Sequence, residues 1–293
     1  MSAAAIHRYR WDDLRRFAAA LGSAVGLDPA RGLALASHLL WFDAAGAARL
    51  GIATLPHWLE MMEGGQVDVR ARGQVVGERS ALATFDAQNG VAPLLLERAA
   101  ELAVEKARET AVGWVRVARL AAVRSVAPVT AGIAVGPMAG WVVGPNRLWG
   151  MALPSGAGLP IVIDSGLAAA SGTGKSAALT PQDEASQPAK LARHASNLLE
   201  SLGIAAEVLL PDQGWLVAAV SVPALEPLTT FHERVASALS GRTEAPGRLL
   251  PQAWDTHRRA AREQGVPLAA PAWKSLSDWA RRLAVDLPRP VDP

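Results

Sequence analysis

Between Ser125 and Asn146 the chain carries no charged residue. A charge-free run of this length has two homes, a lipid bilayer or a protein core. A spanning helix needs ~20 mostly apolar residues and must pair every backbone group internally. This run is interrupted by Pro128, Gly132, Gly136, Pro137, Gly140, Gly144 and Pro145. Proline removes a backbone donor and glycine weakens a helix. The run therefore predicts buried strands joined by tight turns, with no membrane association. The stretches GWVVG, LWGMALPS and LPIVIDS continue the pattern, as short apolar strands punctuated by glycine and proline.

Helical signals lie on either side. Residues 11–23 and 28–42 read as helices, the second opened by Asp28-Pro29, a capping residue followed by proline at the first helical position. A third runs from Leu55 to Met62 and ends at Gly64-Gly65. ALATFDAQNG reads as a strand entering a turn, because Asn89-Gly90 tolerates positive φ. In APLLLERAAELAVEKARET, Leu95, Ala99, Leu102 and Ala103 recur near the helical period, with Glu101 and Glu105 on a solvated face. VGWVRVARL and GWLVAAVSV read as strands. Helices are predicted over 191–203, 226–240, 252–264 and 271–284. Strands mixed with helices indicate an α/β or mixed α+β fold. No internal repeat is found.

The 293 residues suffice for one large domain or two ordinary ones. Half are hydrophobic and 19% are charged, the composition of a packed globular protein. A net charge of +2 leaves no electrostatic footprint for nucleic acid. With no cysteine, disulfides and thiolate metal sites are excluded. The six histidines form no i, i+4 pair, so no metal is expected. There is no G-x-S-x-G elbow. The N-terminal MSAAAIHRYRWDDLRR lacks the apolar stretch of a signal peptide, so a cytoplasmic location is expected. Trp58, Trp114, Trp141, Trp149 and Trp215 sit in or beside apolar runs and are expected in the core.

SGTGKS, at 171–176, resembles the end of a phosphate-binding loop. The full loop requires an earlier glycine, where Ala169 stands, and a long helix after it. Pro181 would stop such a helix almost at once. The segment 171–188 is therefore expected to be a connecting loop that binds no ATP.

Residues DAAGAARLGIATLPHWLEMMEGGQVD carry the most telling pattern. They resemble the second type of malate/L-lactate dehydrogenase, whose motif runs approximately D-x-x-G-x-x-S-H-G-x-x-R-L-P-x-Y. Asp43, Gly46, Gly51, Leu55 and Pro56 match in register, and Trp58 takes the tyrosine position. The resemblance continues through TFDAQNGVAPLLLERAAELAVEKARETAVGWVRV, through WGMALPSGAGLPIVIDSGLA with Asp164 at the family's aspartate, and through the C-terminal helices. It implies that family's fold rather than a Rossmann fold. A helical part, 1–75 plus 225–293, would hold substrate and the subunit contact. A shortened cofactor part would span 76–224. The resemblance also implies NAD(P) as cofactor, a small 2-oxo or 2-hydroxy acid or cyclic imine as substrate, and a homodimer or a partner protein. Relatives of this type include ureidoglycolate and sulfolactate dehydrogenases, diketogulonate reductase and cyclic imino acid reductases.

The departures fall on the family's site positions. Its catalytic histidine falls on Leu50, the neighbouring serine on Arg49, and the carboxylate-binding arginine on Thr54. Leucine cannot move a proton, and threonine cannot offer a bidentate fork. The family's N-S-x-H-F-G stretch is here ARLAAVRS, leaving Arg119 and Arg124 as the nearby candidates for an anion. Lys190 stands at the position of the family's cofactor lysine, but Leu191 and Arg193 replace the flanking glycines. Two readings follow. In one, the chain has kept the scaffold and lost ordinary dehydrogenase activity, and is either a non-catalytic partner or a fold reused for another small-molecule step, with NAD(P) or with no cofactor. In the other, it is an NAD(P)H-dependent reductase with Asp43, Asp164 or a water as proton donor.

Overall fold

The computed structural model describes residues 6–146, 148–170, 214–241, 245 and 247–291. The chain begins with β1 (Ile6–Tyr9), α1 (Trp11–Ala24), α2 (Pro29–Ala44) and α3 (Leu55–Glu63). Next come β2 (Gln74–Arg79), β3 (Leu82–Asp86), α4 (Ala92–Thr110), β4 (Val112–Ala118) and α5 (Ala127–Ile133). The middle continues with β5 (Met138–Val143), β6 (Trp149–Leu153), β7 (Ile161–Asp164), α6 (Ser165–Ala170) and β8 (Trp215–Ser221). The last elements are α7 (Leu228–Leu239), β9 (Arg248–Leu249), α8 (Pro251–Glu263), β10 (Val266–Ala269) and α9 (Ala270–Arg282). The expected loop over 171–188, Lys190 and the expected helix over 191–203 lie outside the described residues.

The described residues fall into two compact units. One takes its members from Met1–Arg72, Asn89–Leu94 and Gln252–Pro293, the other from Gly73–Gln88 and Leu95–Pro251.

The first unit is largely helical. Asp28 caps α2 by accepting from the Ala30 amide at 3.0 Å, with Pro29 beside it, as the sequence predicts. Gly32 lets α2 approach α1, since a Cβ there would come within 2.9 Å of the Ala19 carbonyl. Leu14 and Leu21 of α1 and Leu35, Leu39 and Leu40 of α2 are buried. β1 and β10 form an antiparallel pair, Tyr9 opposite Val266. The Tyr9 ring stacks on Trp273, with centroids 4.2 Å apart.

The second unit is built on an eight-stranded sheet in the order β2-β3-β4-β8-β5-β6-β7-β9. β3 and β4 are parallel, and the other pairs are antiparallel. This mixed sheet is the α/β arrangement expected from the strand pattern, and it is not a doubly wound parallel sheet. One face packs against α4 and α5. Leu95, Ala99, Leu102 and Ala103 of α4 are buried there, with Val115, Val117, Trp215 and Val217 from the strands. Trp114, Trp141 and Trp149 point to the other face and are half-buried, so three of the five tryptophans expected in the core lie at its margin. The charge-free run holds a short helix as well as a strand: Pro128 sits in the first turn of α5, where its missing N–H costs no helical bond. No helix among the described residues is long and apolar enough to cross a membrane.

Gly113 of β4 lies directly under α4. A Cβ at this position would strike the Ala103 carbonyl and crowd the Ala107 amide, both backbone atoms that cannot rotate away. Gly113→Ala should therefore destabilise the protein by ~1–3 kcal/mol or more, the range for overpacked cores. A urea midpoint equal to the wild type's would contradict this.

Candidate functional site

Asp43 lies in the last turn of α2, where the chain leaves the helix through Gly46 in the left-handed region (φ +77°). The turn closes with the Ala47 amide donating to the Phe42 carbonyl at 2.8 Å. The chain then folds back so that Gly51 rests against the Asp43 carboxylate, in a space that any Cβ would fill. The Ile52 amide donates to Asp43 Oδ2 at 2.8 Å. Oδ1 is buried and has no hydrogen-bond partner. Burial pushes this carboxyl up to about 7, against the lowering effect of the Ile52 amide and of its own backbone.

Leu50 and Thr54 belong to the same corner. Leu50 is 4% exposed, closed into the interior of the first unit. Thr54 Oγ1 donates back to the Gly51 carbonyl at 2.8 Å, so its hydroxyl closes the short 3-10 turn Ile52–Thr54. Arg49 and His57, their neighbours in sequence, are exposed. The structure thus brings Asp43, Leu50 and Thr54 together, as one turn whose polar groups largely serve each other.

Asp164, at the end of β7, anchors a corner of the second unit. Its carboxylate accepts from Ser125 Oγ at 2.9 Å, from the Val126 amide at 2.9 Å and from the Leu167 amide at 2.7 Å. The last of these is an N-cap on α6. Gly150 and Gly166 make room on both sides: a Cβ at Gly150 would meet the carboxylate, and one at Gly166 the Arg124 carbonyl. Burial raises this group to about 6, opposed by the amides of Leu167 and Val126, the Ser125 hydroxyl and the Gly166 amide. It ties the segment after β4 to the end of β7. The Arg124 side chain itself is exposed.

Arg119 follows β4 in a left-handed conformation (φ +52°). Its guanidinium meets Asp86, at the end of β3, through Nε at 2.8 Å and through a second, shorter bond. The hydrogen bond from Arg119 holds the Asp86 carboxyl below its usual range. Asp86 also accepts from the Gln88 amide at 2.9 Å, and Gln88 too is left-handed (φ +52°). These groups cluster at the carboxyl ends of the parallel strand pair, where open α/β sheets commonly place ligands. Asp86 is a candidate that the sequence reading passed over. Its one signal was its place at the head of DAQNG.

Of the cations considered for a dinucleotide's phosphates, Arg119 is held by Asp86, Arg124 is a single exposed side chain and Lys190 lies outside the described residues. Among the described residues no group of three or more His, Asp or Glu side chains is placed to hold a metal ion.

A family model described as malate/L-lactate dehydrogenase matches residues 9–158. No curated protein matches the sequence. Among solved structures, the chain resembles malate dehydrogenase from Pyrococcus horikoshii, with a TM-score of 0.76 at 17% identity over 98% of this chain and 99% of that one. Sulfolactate dehydrogenase from Methanocaldococcus jannaschii gives 0.71 at 14% identity, over 95% and 98% of the two chains. The Δ1-piperideine-2-carboxylate reductase of Pseudomonas syringae gives 0.71 at 16%, over 93% and 99%. At such identities the likeness is one of fold.

Proposed function

We propose, for a chain that belongs to the malate/L-lactate dehydrogenase family, that the scaffold is kept while ordinary dehydrogenase chemistry is not. The protein then acts as a non-catalytic partner or in another step on a small molecule. The observation that carries this reading is the Leu50–Thr54 corner. A side chain buried to 4% exposure and a hydroxyl donated to the Gly51 carbonyl occupy the positions to which the family resemblance assigns a proton donor and a carboxylate fork. Residues 1–75 plus 225–293 would form the part that meets substrate and a second subunit, as a cytoplasmic homodimer or with another protein. Residues 76–224 would form the reduced cofactor part.

One observation favours the alternative, an NAD(P)H-dependent reductase of a 2-oxo acid or cyclic imine. Asp43 is a carboxyl raised to about 7, the range in which a general acid works best. Its burial argues against direct contact with a substrate. Titration of NADH and NADPH fluorescence with the purified protein separates the two readings. The first expects no saturable change for either cofactor. A saturable change at micromolar protein would favour the reductase.

A further inference from the structure

In the first unit, a cleft of about 300 Å³ lies between the turn from α1 to α2 and residues 69–72. Three arginines line it, Arg31, Arg70 and Arg72, against one carboxylate, Asp28. Arg31 is half-buried and holds the walls together: its guanidinium donates to the Val69 carbonyl and, at 2.8 Å, to the Ala71 carbonyl. It stands in the first turn of α2, the end at which a cation opposes the helix dipole. Burial and the nearby charge of Arg72 lower this guanidinium below the ordinary arginine range, with Asp28 and Asp68 acting against them. Two carboxylates against three guanidiniums leave a positive balance, and both carboxylates are already engaged. Asp28 Oδ1 accepts from the Ala30 amide at 3.0 Å, and Asp68 Oδ1 from the Arg70 amide at 2.7 Å. Asp28 Oδ2 lies 3.7 Å from Arg72, beyond hydrogen-bond length. No side chain among the described residues engages the Arg70 guanidinium. Arg70 and Arg72 are both exposed, so a solute in the cleft can reach them.

We propose that this cleft binds the phosphoryl group of a small anion, either a phosphate ester or inorganic phosphate. Arginine presents a planar fork that holds two oxygens at once. Two such forks at one cleft suit a group with more acceptors than the two of a carboxylate. A phosphoryl group offers three oxygens and carries about −1.5 to −2 charge at neutral pH. Its charge would also offset the repulsion between Arg31 and Arg72. Size limits the rest of the ligand: pockets for drug-sized molecules begin near ~300 Å³, so the cleft suits a small ester and not a dinucleotide.

The probes are inorganic phosphate, glycerol 3-phosphate and malonate, a dianion built from two carboxylates, with binding followed by titration calorimetry. At least one of the two phosphates should bind saturably with a Kd below about 1 mM, and malonate should bind at least tenfold more weakly. Arg70→Gln and Arg72→Gln should each weaken phosphate binding roughly tenfold or more, the effect of one charged hydrogen bond. Both side chains are exposed, so the urea midpoint should stay at the wild-type value. Arg72→Lys keeps the charge but loses the fork, and should still weaken binding several-fold. Arg108→Gln removes the same charge from an exposed position on α4 and should leave binding unchanged. Tighter binding of glycerol 3-phosphate than of phosphate assigns the cleft to esters, and the reverse order assigns it to the free ion; either order sustains the phosphoryl assignment. No saturable binding of either phosphate, malonate as tight as both, or a loss in Arg108→Gln equal to that in Arg72→Gln would overturn it.

Discussion

Purified protein given malate, lactate or their 2-oxo counterparts with NAD(P)(H) should turn over at least ~10³-fold more slowly than the ~1–10³ s⁻¹ of typical enzymes. Loss of a positioned proton donor accounts for ~10²–10⁴ in rate. On the proposed reading, a threonine in place of the carboxylate fork lacks a charged hydrogen bond worth ~1.5–3 kcal/mol, roughly a further tenfold or more. The environment of these positions adds a second expectation. Leu50→His with Thr54→Arg should not restore activity. Leu50 is buried, and Thr54 closes a turn by bonding to the Gly51 carbonyl. A histidine at position 50 would lose the burial of leucine, ~1.5–3 kcal/mol, and leave a polar ring unsatisfied, ~1–3 kcal/mol more. The double variant should unfold at clearly lower urea. Wild-type turnover on the order of 1 s⁻¹ or above on any member of a panel of 2-oxo acids and cyclic imines would sink the proposed loss of function.

The family motif is readable in this chain, despite the departures from it at Arg49, Leu50 and Thr54, for a physical reason. Asp43, Gly46 and Gly51 share one turn. The aspartate receives the Ile52 amide, Gly46 supplies the left-handed φ, and Gly51 is the one residue that fits beside the carboxylate. Asp164 has the same character: its spacing from Ser125 means nothing along the chain, but its carboxylate joins two segments 39 residues apart. Such residues serve the fold, whatever the chemistry. Leu50 and Thr54 could be read as departures only because these anchors held the register.

What could not be read came from tertiary context. Periodicity along α4 placed Leu95, Ala99, Leu102 and Ala103 correctly, since a helix shows its buried face in its own sequence. The charge-free run gave no such signal, because continuous apolar residues suit a buried helix or a buried strand equally well. The half-buried tryptophans show the same limit. Alternation says that Trp114 and Val115 face opposite ways, but not which face α4 covers. The Asp86–Arg119 pair depends on two parallel strands ending side by side, and no local pattern in the chain announces that.

Asp43 and Asp164 should also set the pH dependence of stability, in the direction opposite to most carboxylates. Each is raised by burial, to about 7 and about 6, from an ordinary value near 4. Between pH 4 and 7 the folded state therefore holds protons that the unfolded state releases. Stability then falls as pH rises through this window. The contribution is fully present below the unfolded value and is lost once pH passes the folded one. At ~1.4 kcal/mol per pH unit, each carboxyl can account for a loss on the order of 3–4 kcal/mol. Carboxylates nearer solvent, half-buried Asp255 and exposed Asp278, lowered by hydrogen bonds from Arg259 and Lys274, act in the opposite sense, but solvent and salt screen them. Asp43→Asn isolates the effect, because an amide keeps an acceptor for the Ile52 amide and cannot ionise. The variant should gain on the wild type by a few kcal/mol between pH 5 and pH 8, with both followed by urea unfolding. Parallel curves for the two proteins across that range would mean that Asp43 does not ionise there, and that the unpartnered Oδ1 is not the source of the pH dependence.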